Sequence, residues 1–390
     1  MLNRHTVLQI AEKNKEPLWF VEQRLHAFEQ FSQLLLPSFQ YGLSIFLDPQ
    51  RVQLDEVDPL SSHDERVVSV PEGVEVMPLT EALHRYEDVL KEVLVQKELT
   101  KFSALHHAYM THGLFIRIPR GMKMDVPLRL NATTHSTTTI ETVVILAEPE
   151  SCATVIESLG SEDNVRGYYS KVVEIVAQED AQVNYIVAQH FSPAVVHVTE
   201  KRATISKNAI VRWIECMLGS GFLSSTNMMI LQGEGASTSH YGLLFGDGQR
   251  CFDLHTKAIH AASSTTSRLL MHSVLADQAK AVSRGLIKIQ EGCTQCDGYQ
   301  QQHNLLLSEE AEIDPVPTLE IHNDDVKCSH ATTISDVDDE KLFYLMSRGL
   351  DRTMARRLLV EGFFDKILRE IHDSFAEELR EKILLKVREI

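Results

Sequence analysis

A short pattern returns along the middle of this 390-residue chain: a polar turn, one small residue, and then a strand of alternating apolar and polar residues. The small position is alanine at spacings of 28, 28 and 27 residues, with two looser copies afterwards: Ala153, Ala181, Ala209, Ala236, Ala279 and Ala311. A unit repeated at a near-constant period predicts a solenoid, in which each unit buries its inward face against its neighbours.

The stretch from residue 104 to residue 334 has the composition of strands throughout. It is rich in Val, Ile, Thr and aromatic residues with period-two alternation, interrupted by Gly, Asn, Asp and Pro. No convincing amphipathic helix divides it, which argues against strands and helices in alternation. We therefore predict a mainly β fold, with a right-handed parallel β-helix core at residues 104–334. A β-sandwich is the alternative, although sandwich strands seldom repeat so regularly.

Helical regions are predicted on both sides of this core. Residues 1–103 contain a helix that Pro37 ends, an irregular acidic connection at 38–75, and a second helix over 78–96. Residues 335–390 contain a helix closed by Gly349 and another that is capped by Asp351 and closed by Gly362. A longer last helix has apolar residues at every fourth position: Ile367, Ile371, Phe375, Leu379, Ile383 and Val387.

Charge and hydropathy exclude two classes of partner. The net charge is −17, whereas a nucleic-acid-binding protein needs a basic face. No apolar run approaches the ~20 residues that cross a membrane, and the first residues lack the apolar core of a signal peptide. The six cysteines are too few for a disulfide scaffold in a chain of this length: Cys152, Cys216, Cys251, Cys293, Cys296 and Cys328. We predict a cytoplasmic protein with free or metal-binding thiols.

The segment VKCSHATT, residues 326–333, carries the first candidate site. On a strand, Cys328 and His330 share one face about 7 Å apart, so both can reach one metal or cluster if another strand or subunit supplies the remaining ligands. Thiolate together with imidazole suits zinc or iron–sulfur chemistry. The alternative is that both residues face a packed core, where cysteine is common.

Cys293 and Cys296 form a Cys-x-x-Cys motif in EGCTQCDG. A turn would direct both thiols at one metal or a persulfide, whereas a straight strand would point them to opposite faces. The sequence has no second such motif, so a closed structural zinc site is not supported. Cys152 lies at a corner of the first clear repeat, where packing and sulfur handling are both open. Lys201 and Arg202 are interpreted as part of a solvated face.

The motifs of common enzyme classes are missing from the sequence. It has no G-x-x-x-x-G-K-[ST] phosphate-binding loop, no G-x-S-x-G nucleophile elbow and no H-E-x-x-H zinc motif. We therefore expect a non-catalytic protein. Polysaccharide-cleaving β-helix enzymes, which use carboxylates, are the remaining enzyme alternative.

Three blocks of sequence resemble the SufB/SufD family, the scaffold subunits of the Suf iron–sulfur cluster assembly system. They are EPLWFVEQRLHAFEQF near the start, NLLLSEEAEIDPVPTLEIHNDDVKCSHATT at the end of the strands, and DEKLFYLMSRGLDRTMARRLLVEGFF after them. Within the family, LLLSEEAEIDPVPTLEI and DDVKCSH are most like SufD. The resemblance implies a β-helix flanked by helical regions.

The resemblance also implies partners and a cofactor. A SufB-type subunit, or a second copy of this chain, would pair with the β-helix. His330 matches the family's histidine ligand for a transient iron–sulfur cluster shared between subunits, and Cys328 is its weaker neighbour. A SufC-type ABC ATPase is expected to dock on the C-terminal helices, at Leu342, Phe343, Tyr344, Arg348, Gly349, Ala355, Gly362 and Phe363.

Several positions depart from the SufB or SufD pattern. Ala331 stands where SufD proteins usually have glycine, and Gln302 occupies the position of the SufB interface cysteine. Cys152, Gln189 and Lys201 fall near SufB positions that accept or conduct sulfur. A divergent SufD is the main hypothesis.

A self-sufficient homodimer is the other hypothesis within this family. Such a dimer would bind a cluster without a SufB-type subunit. Its ligands would be Cys293, Cys296 and Cys328.

Overall fold

The computed structural model describes residues 2–37, 40–41, 45–46, 52–61, 65–95, 99–162, 165–371 and 373–388. The helices are α1 (Arg4–Lys13), α2 (Leu18–Gln33), α3 (Leu79–Arg85), α4 (Glu87–Leu94), α5 (Lys101–Tyr109), α6 (Asp339–Ser347), α7 (Arg352–Leu368) and α8 (Asp373–Arg388). The strands are β1 (Gln40–Tyr41), β2 (Ile45–Phe46), β3 (Glu65–Ser69), β4 (Glu75–Pro78), β5 (His112–Ile118), β6 (Leu128–Thr134), β7 (Thr138–Ala147), β8 (Cys152–Ser161), β9 (Gly167–Ala177), β10 (Gln182–His190), β11 (Val195–Ile205), β12 (Ile210–Met217), β13 (Phe222–Leu231), β14 (Ser237–Gly246), β15 (Cys251–His260), β16 (Thr266–Leu275), β17 (Lys280–Ile289), β18 (Cys296–Leu306), β19 (Glu312–Ile321) and β20 (Val326–Asp336).

Two nine-stranded sheets form a solenoid. Sheet 1 runs β3-β6-β8-β10-β12-β14-β16-β18-β20, and sheet 2 runs β4-β5-β7-β9-β11-β13-β15-β17-β19. Only the first strand of each, β3 or β4, is antiparallel to its neighbour. The other eight strands of each sheet are parallel, and the chain alternates between the sheets. The predicted parallel β-helix is confirmed, with eight rungs.

The corners that lead into sheet 1 repeat one local structure. A residue with a left-handed backbone is followed by a small, buried residue. In most corners the carbonyl of the buried residue accepts a hydrogen bond from a backbone amide of the next rung. The left-handed residues are Glu150, Asp180, Asn208, Gly235, Ser264 and Gln295. The buried residues after them are Ser151, Ala181, Ala209, Ala236, Thr265 and Cys296. Rungs stacked at strand spacing leave no room for a large side chain here.

Three members of the predicted alanine repeat lie elsewhere. Ala153 pairs in register with Val183, and Ser151 fills the corner in its place. Ala279 and Ala311 precede β17 and β19, so they fill the opposite corner, which leads into sheet 2. The prediction was wrong for Ala279 and Ala311 because a buried alanine marks a corner without showing which of the two corners it occupies. It was wrong for Ala153 because that residue lies inside β8, with its small side chain in the interior core.

The N-terminal helices cover the outer face of sheet 2. Val144 and Tyr168 of that sheet belong to the same buried cluster as the helices' apolar side chains. The prediction of one helix over 78–96 was wrong, because the backbone leaves helical geometry at Tyr86, between α3 and α4. The predicted connection at 38–75 contains β1 to β3, two 3-10 turns and segments outside the described residues. The predicted boundary after residue 103 falls within α5, and β5 begins at His112.

The C-terminal helices pack on the outer face of sheet 1. Ile214 and Phe245 of the sheet share a buried cluster with Phe364 of α7. The apolar series is buried on this side at Ile367, Ile371, Phe375, Leu379 and Ile383. The side chain of Val387 lies outside the described part. Gly362 was predicted to end a helix, but α7 continues to Leu368, since packing outweighs the ~1 kcal/mol that an internal glycine costs. None of the described helices is long and apolar enough to span a membrane.

Candidate functional site

The last strand of sheet 1 carries Cys328 and His330 side by side on one face. Their register partners on β18 are Gly298 and Gln300, which are buried inside the solenoid. No further rung stacks on β20 in the described structure, so His330 is exposed and Cys328 is half-buried against the interior core. Both side chains therefore face the open end of the solenoid.

Gly298 makes room for the Cys328 thiol. A methyl group at this glycine would lie 3.2 Å from Cys328 Sγ and 2.9 Å from Ile287 Cγ2. Burial raises the pKa of Cys328, and the neighbouring Asp297 adds to this. A thiol in such surroundings stays protonated until a metal displaces the proton.

The open end of the solenoid contains two candidate metal ligands, fewer than a complete site needs, in the described part of the chain. Among the described residues, no three His, Cys, Asp or Glu side chains are grouped closely enough to hold a metal ion. Gln302 is buried on β18 opposite Thr332. Cys328 and His330 together provide a thiol and an imidazole, which is half of a four-ligand site.

The two edge strands at this end differ in what they offer a partner. The backbone amides of Glu312 and His322 donate hydrogen bonds to the preceding rung of sheet 2. Backbone groups alternate in direction along a strand, so the odd-numbered residues of β19 direct theirs to the free edge. Pro315 and Pro317 occupy two of those alternate positions and have no amide hydrogen. β20 contains no proline and keeps its donors. Pairing of another strand is therefore blocked on β19 and open on β20.

Cys293 and Cys296 both point into the solenoid. Gly292 and Gln295 adopt left-handed backbones, at φ 80° and 57°, and this corner turns both thiols inward. Cys296 Sγ lies 3.2 Å from Thr265 Oγ1. Burial raises the pKa of Cys293. The turn anticipated for this motif is present, and Val326, opposite Cys296, is two residues before Cys328 on β20.

Cys152 lies far from these residues. It begins β8, half-buried, and its backbone pairs with Lys123. Six strand spacings separate β8 from β20 in sheet 1, which is roughly 30 Å. The structure therefore does not bring Cys152 together with Cys328 and His330.

The residues proposed for ATPase docking fall into two groups. Leu342 and Ala355 are buried between the helices, Phe363 is half-buried against the sheet, and Gly349 ends α6 with φ 94°. Phe343 and Tyr344 are 74% and 55% exposed, Arg348 stacks on Tyr344, and Gly362 is exposed. The sequence analysis missed three other exposed apolar side chains on these helices: Met346, Met354 and Leu358. Helical spacing was the available signal within each helix: Met346 is three residues after Phe343 on α6, and Leu358 is four after Met354 on α7.

A family model described as "SUF system FeS cluster assembly, SufBD core domain" matches residues 129–363, which begin in β6 and end in α7. The chain belongs to the SufBD family. Among curated proteins, the iron-sulfur cluster assembly SufBD family protein of Staphylococcus saprophyticus is 26% identical over 430 residues, covering 98% of this chain and 92% of that protein. Those of Staphylococcus haemolyticus and Staphylococcus epidermidis are 25% identical with the same coverage. The resemblance at the level of the family is confirmed.

The interior of this SufBD-family solenoid also contains buried charges that the sequence analysis missed. Lys171 Nζ lies 2.6 Å from Glu141 Oε1 and 2.5 Å from Glu157 Oε1, and all three side chains are at most 4% exposed. Tyr169 and Tyr185 donate hydrogen bonds to the same two carboxylates. Burial lowers the pKa of Lys171 to about 8, although Glu157 favours its charged form.

A second buried pair shows that the solvated-face interpretation of Lys201 was wrong. Lys201 Nζ lies 2.5 Å from Glu215 Oε1, and His240 Nε2 lies 2.7 Å from the other oxygen of that carboxylate. Burial alone would raise the pKa of Glu215, but Lys201 and His240 hold it well below its usual value. Gln189 is buried as well and donates to the Gly219 carbonyl. The available signal was parity, since Lys201 shares its side of β11 with the inward residues Val195, Ala203 and Ile205.

Proposed function

We propose that this chain is a non-catalytic, SufD-like scaffold subunit for iron–sulfur cluster assembly in the cytoplasm. It pairs through the open end of its solenoid with a SufB-type subunit and binds a SufC-type ABC ATPase through its C-terminal helices. The observation that carries the proposal is the last rung, where Cys328 and His330 lie on a strand with a free edge. Cytoplasmic location is supported by the six cysteines, which form no disulfide and which a reducing compartment maintains as thiols.

Pairing by strand addition explains the two unlike edges. The free donors of β20 are a template for a partner strand, and such an edge is normally protected in a protein that works alone. Pro315 and Pro317 protect β19 in this way. A partner seated on β20 would bring its own side chains next to Cys328 and His330, which supplies the missing half of the ligand set.

His330 is the stronger ligand of the two. Its imidazole is exposed and needs no movement to reach a cluster, whereas Cys328 is half-buried and holds its proton. The cluster is cargo that the assembled complex builds and passes on, so ligands divided between two subunits also suit its release.

The exposed apolar side chains of α6 and α7 support the ATPase-docking part of the proposal. Phe343, Tyr344, Met346, Met354 and Leu358 are at least 40% exposed and lie within 16 positions of one another. Exposed aromatic and methionine side chains in one patch mark an interaction surface. Helices α7 and α8 pack directly on the solenoid, so a force applied at the exposed patch reaches sheet 1 through them.

Docking can be tested with Phe343→Asp in the full chain and a purified SufC-type ATPase. Phe343 buries little of its surface, so the variant should fold, and its affinity for the ATPase should fall at least about tenfold, as for an interface hot spot. Leu385→Asp, on the exposed side of α8, is the matched control and should bind normally. Unchanged affinity of Phe343→Asp would remove the docking claim.

The ligand role of His330 can be tested in a reconstituted complex with the ATPase and a SufB-type subunit. His330→Ala should assemble the complex but lose most of the cluster, measured as bound iron and sulfide. His322→Ala, an exposed histidine just after β19, should assemble clusters normally. Equal cluster content in the two variants would show that His330 is not a ligand.

The cysteine geometry gives the self-pairing homodimer a specific basis. Cys293, Cys296 and Cys328 all pack against the interior core at the last rungs. A homodimer using them would retain iron and sulfide after anaerobic reconstitution of this chain alone. A monomer without bound iron in that experiment would favour the SufD-like function.

A further inference from the structure

A pair of histidines lies between the C-terminal helices and the edge of sheet 1. His272 on β16 and His303 on β18 are register partners on the outer face. Their rings are perpendicular, with centroids 5.1 Å apart. The neighbouring outer positions are apolar and belong to the cluster beneath α7 and α8, including Val274 and Leu305.

His272 is bonded to α7. Its Nδ1 lies 2.8 Å from the carbonyl oxygen of Phe363, which can only accept, so Nδ1 carries the proton. The His272 and Phe363 rings are also in contact, at 5.1 Å between centroids. The remaining nitrogen, Nε2, is buried and hydrogen-bonds to no residue in the described structure. In the described structure the His272 ring therefore makes one hydrogen bond, the one to α7.

His303 is bonded to the edge strand. Its Nδ1 lies 2.7 Å from Thr333 Oγ1, its register partner on β20. The Thr333 carbonyl also accepts a hydrogen bond from Asn304 Nδ2 at 3.0 Å. Thr333 lies three residues after His330 on the same strand. A shift of His303 is thus passed to the strand that carries the candidate cluster ligand.

The helix at the other end of this series is a single rigid element. α7 runs from Arg352 to Leu368, so Met354 and Leu358, the part of the exposed patch that lies on this helix, move together with Phe363 near its end. Hydrogen bonds weaken steeply when their geometry is disturbed, which makes the contact of His272 with Phe363 sensitive to a small displacement of the helix.

We infer that His272 and His303 are positioning residues that couple the orientation of α7 to the edge strand β20. The series Phe363, His272, His303 and Thr333 transmits a movement of the helix to the strand. The coupling is a property of this chain alone. Its use by a docked ATPase, which would adjust the position of His330 by moving α7, rests on the function proposed above.

A double-mutant cycle in the full chain, without partners, tests the coupling. The two changes are His272→Leu, near the helix, and Thr333→Val, on the strand, and the measurement is amide hydrogen exchange of β20. Each change alone should speed exchange of β20 at least about twofold. The double variant should exchange no faster than either single variant, because both changes break the same series of contacts. In a His303→Leu background, neither change should have a further effect.

Two outcomes would overturn the inference: unchanged exchange of β20 in His272→Leu, or effects of the two changes that simply multiply. Exchange of β12, in the middle of sheet 1, separates general destabilisation from the local effect. Arg380→Met is the matched control. Arg380 of α8 donates to Asp365 of α7 at 2.9 Å but is outside the histidine series, so exchange of β20 should stay as in the unchanged chain.

The ¹⁵N chemical shifts of the His303 ring give an independent readout. They should change in His272→Leu as well as in Thr333→Val, and an unchanged His303 in His272→Leu would contradict the coupling. With a SufC-type ATPase added, exchange of β20 should change in the unchanged chain and not in His303→Leu. If the ATPase does not bind at all, the proposed function fails, and the cycle without partners still decides the coupling.

Discussion

Lys171 shows how a single residue is used inside this solenoid. It holds two carboxylates, Glu141 and Glu157, that come from both sheets, in a space closed to solvent. Such a group adds little stability compared with an apolar core, but its members depend strongly on one another. A buried triad therefore specifies which rungs lie side by side, and the loss of one member leaves charge without compensation.

Lys171→Met should lower the free energy of unfolding by about 3–5 kcal/mol, because the buried Glu157 loses its cation, while Glu141 keeps its ion pair with Arg66. Denaturant unfolding measures this. Lys207→Met is the control, since Lys207 pairs with Glu179 at 3.1 Å between rungs at the surface, with both side chains more than half exposed. That change should lower the free energy of unfolding far less than Lys171→Met, because solvent screens an exposed ion pair. Equal costs would show that the interior triad is not special.

His260 should make the stability depend on pH in a defined window. Both ring nitrogens are bonded, to Thr265 and Ser267, and burial lowers the pKa from 6.5 to about 4. The unfolded chain therefore binds this proton first as pH falls. The stabilisation is complete above pH 6.5 and is lost progressively as pH decreases towards 4.

The comparison of the unchanged chain with His260→Gln isolates this histidine from the other buried ones. Between pH 6.5 and 4, the free energy of unfolding of the unchanged chain should fall more steeply, by up to about 1.4 kcal/mol per pH unit. Above pH 6.5 the two curves should be parallel. Parallel curves throughout would mean that His260 does not titrate in this window.

At the scale of elements, helix α8 acts as a strap on sheet 1. Phe375, Leu379 and Ile383 are buried against the sheet, and Lys386 bonds to Asp247 at 3.0 Å. The prediction of one long helix carrying the series from Ile367 to Val387 was wrong, because Ile367 lies in α7 and Ile371 lies between α7 and α8. The four-residue spacing nevertheless places the three buried side chains of α8 towards the sheet. Packing on the sheet rather than helix propensity fixes its place, because an isolated helix of this length is marginal in water.

Leu379→Ala should lower the free energy of unfolding by about 2–5 kcal/mol, the cost of a buried cavity. Leu385→Ala, on the same helix but 57% exposed, should change it by less than about 0.5 kcal/mol. Both are measured by chemical unfolding followed by circular dichroism. Similar losses of unfolding free energy in the two variants would show that α8 does not pack on the sheet through the face that carries Leu379.

At the scale of the whole molecule, each rung pairs only with the rungs beside it. Stability in such an array is built from the rungs and their interfaces, and the ends open more easily than the middle. In the described structure no strand pairs with the free edge of β19 or β20, while antiparallel strands pair at the other end.

Amide hydrogen exchange should therefore show a gradient of protection. Exchange should be fastest in β19 and β20, slower in β16 and β17, and slowest near β11 and β12, where Trp213 is completely buried. Mass spectrometry of peptides from the intact chain measures this. Equal protection in all rungs would indicate that the solenoid unfolds as one cooperative unit. A pairing partner on β20 should remove the difference at that end.

The sequence by itself predicted the parallel solenoid, the helices on both sides of it, and the placement of Cys328 and His330 on one face. All three depend on local patterns: alternation along a strand, and a turn and small residue that return every rung. Neighbouring rungs repeat the same contacts, so the sequence of a solenoid repeats with a period of one rung. The resemblance to the SufBD family rested separately on specific blocks of sequence, such as DDVKCSH.

Only the tertiary structure decided which distant residues meet. The alanine pattern could not tell one corner from the other, as Ala279 shows, and a helix stop at Gly362 was overridden by packing. Lys201 was found to be buried and paired, and His272 was found against Phe363, 91 residues away. Such contacts depend on how side chains of separate elements fill a shared space. That arrangement has no period along the chain, so the sequence pattern did not contain it.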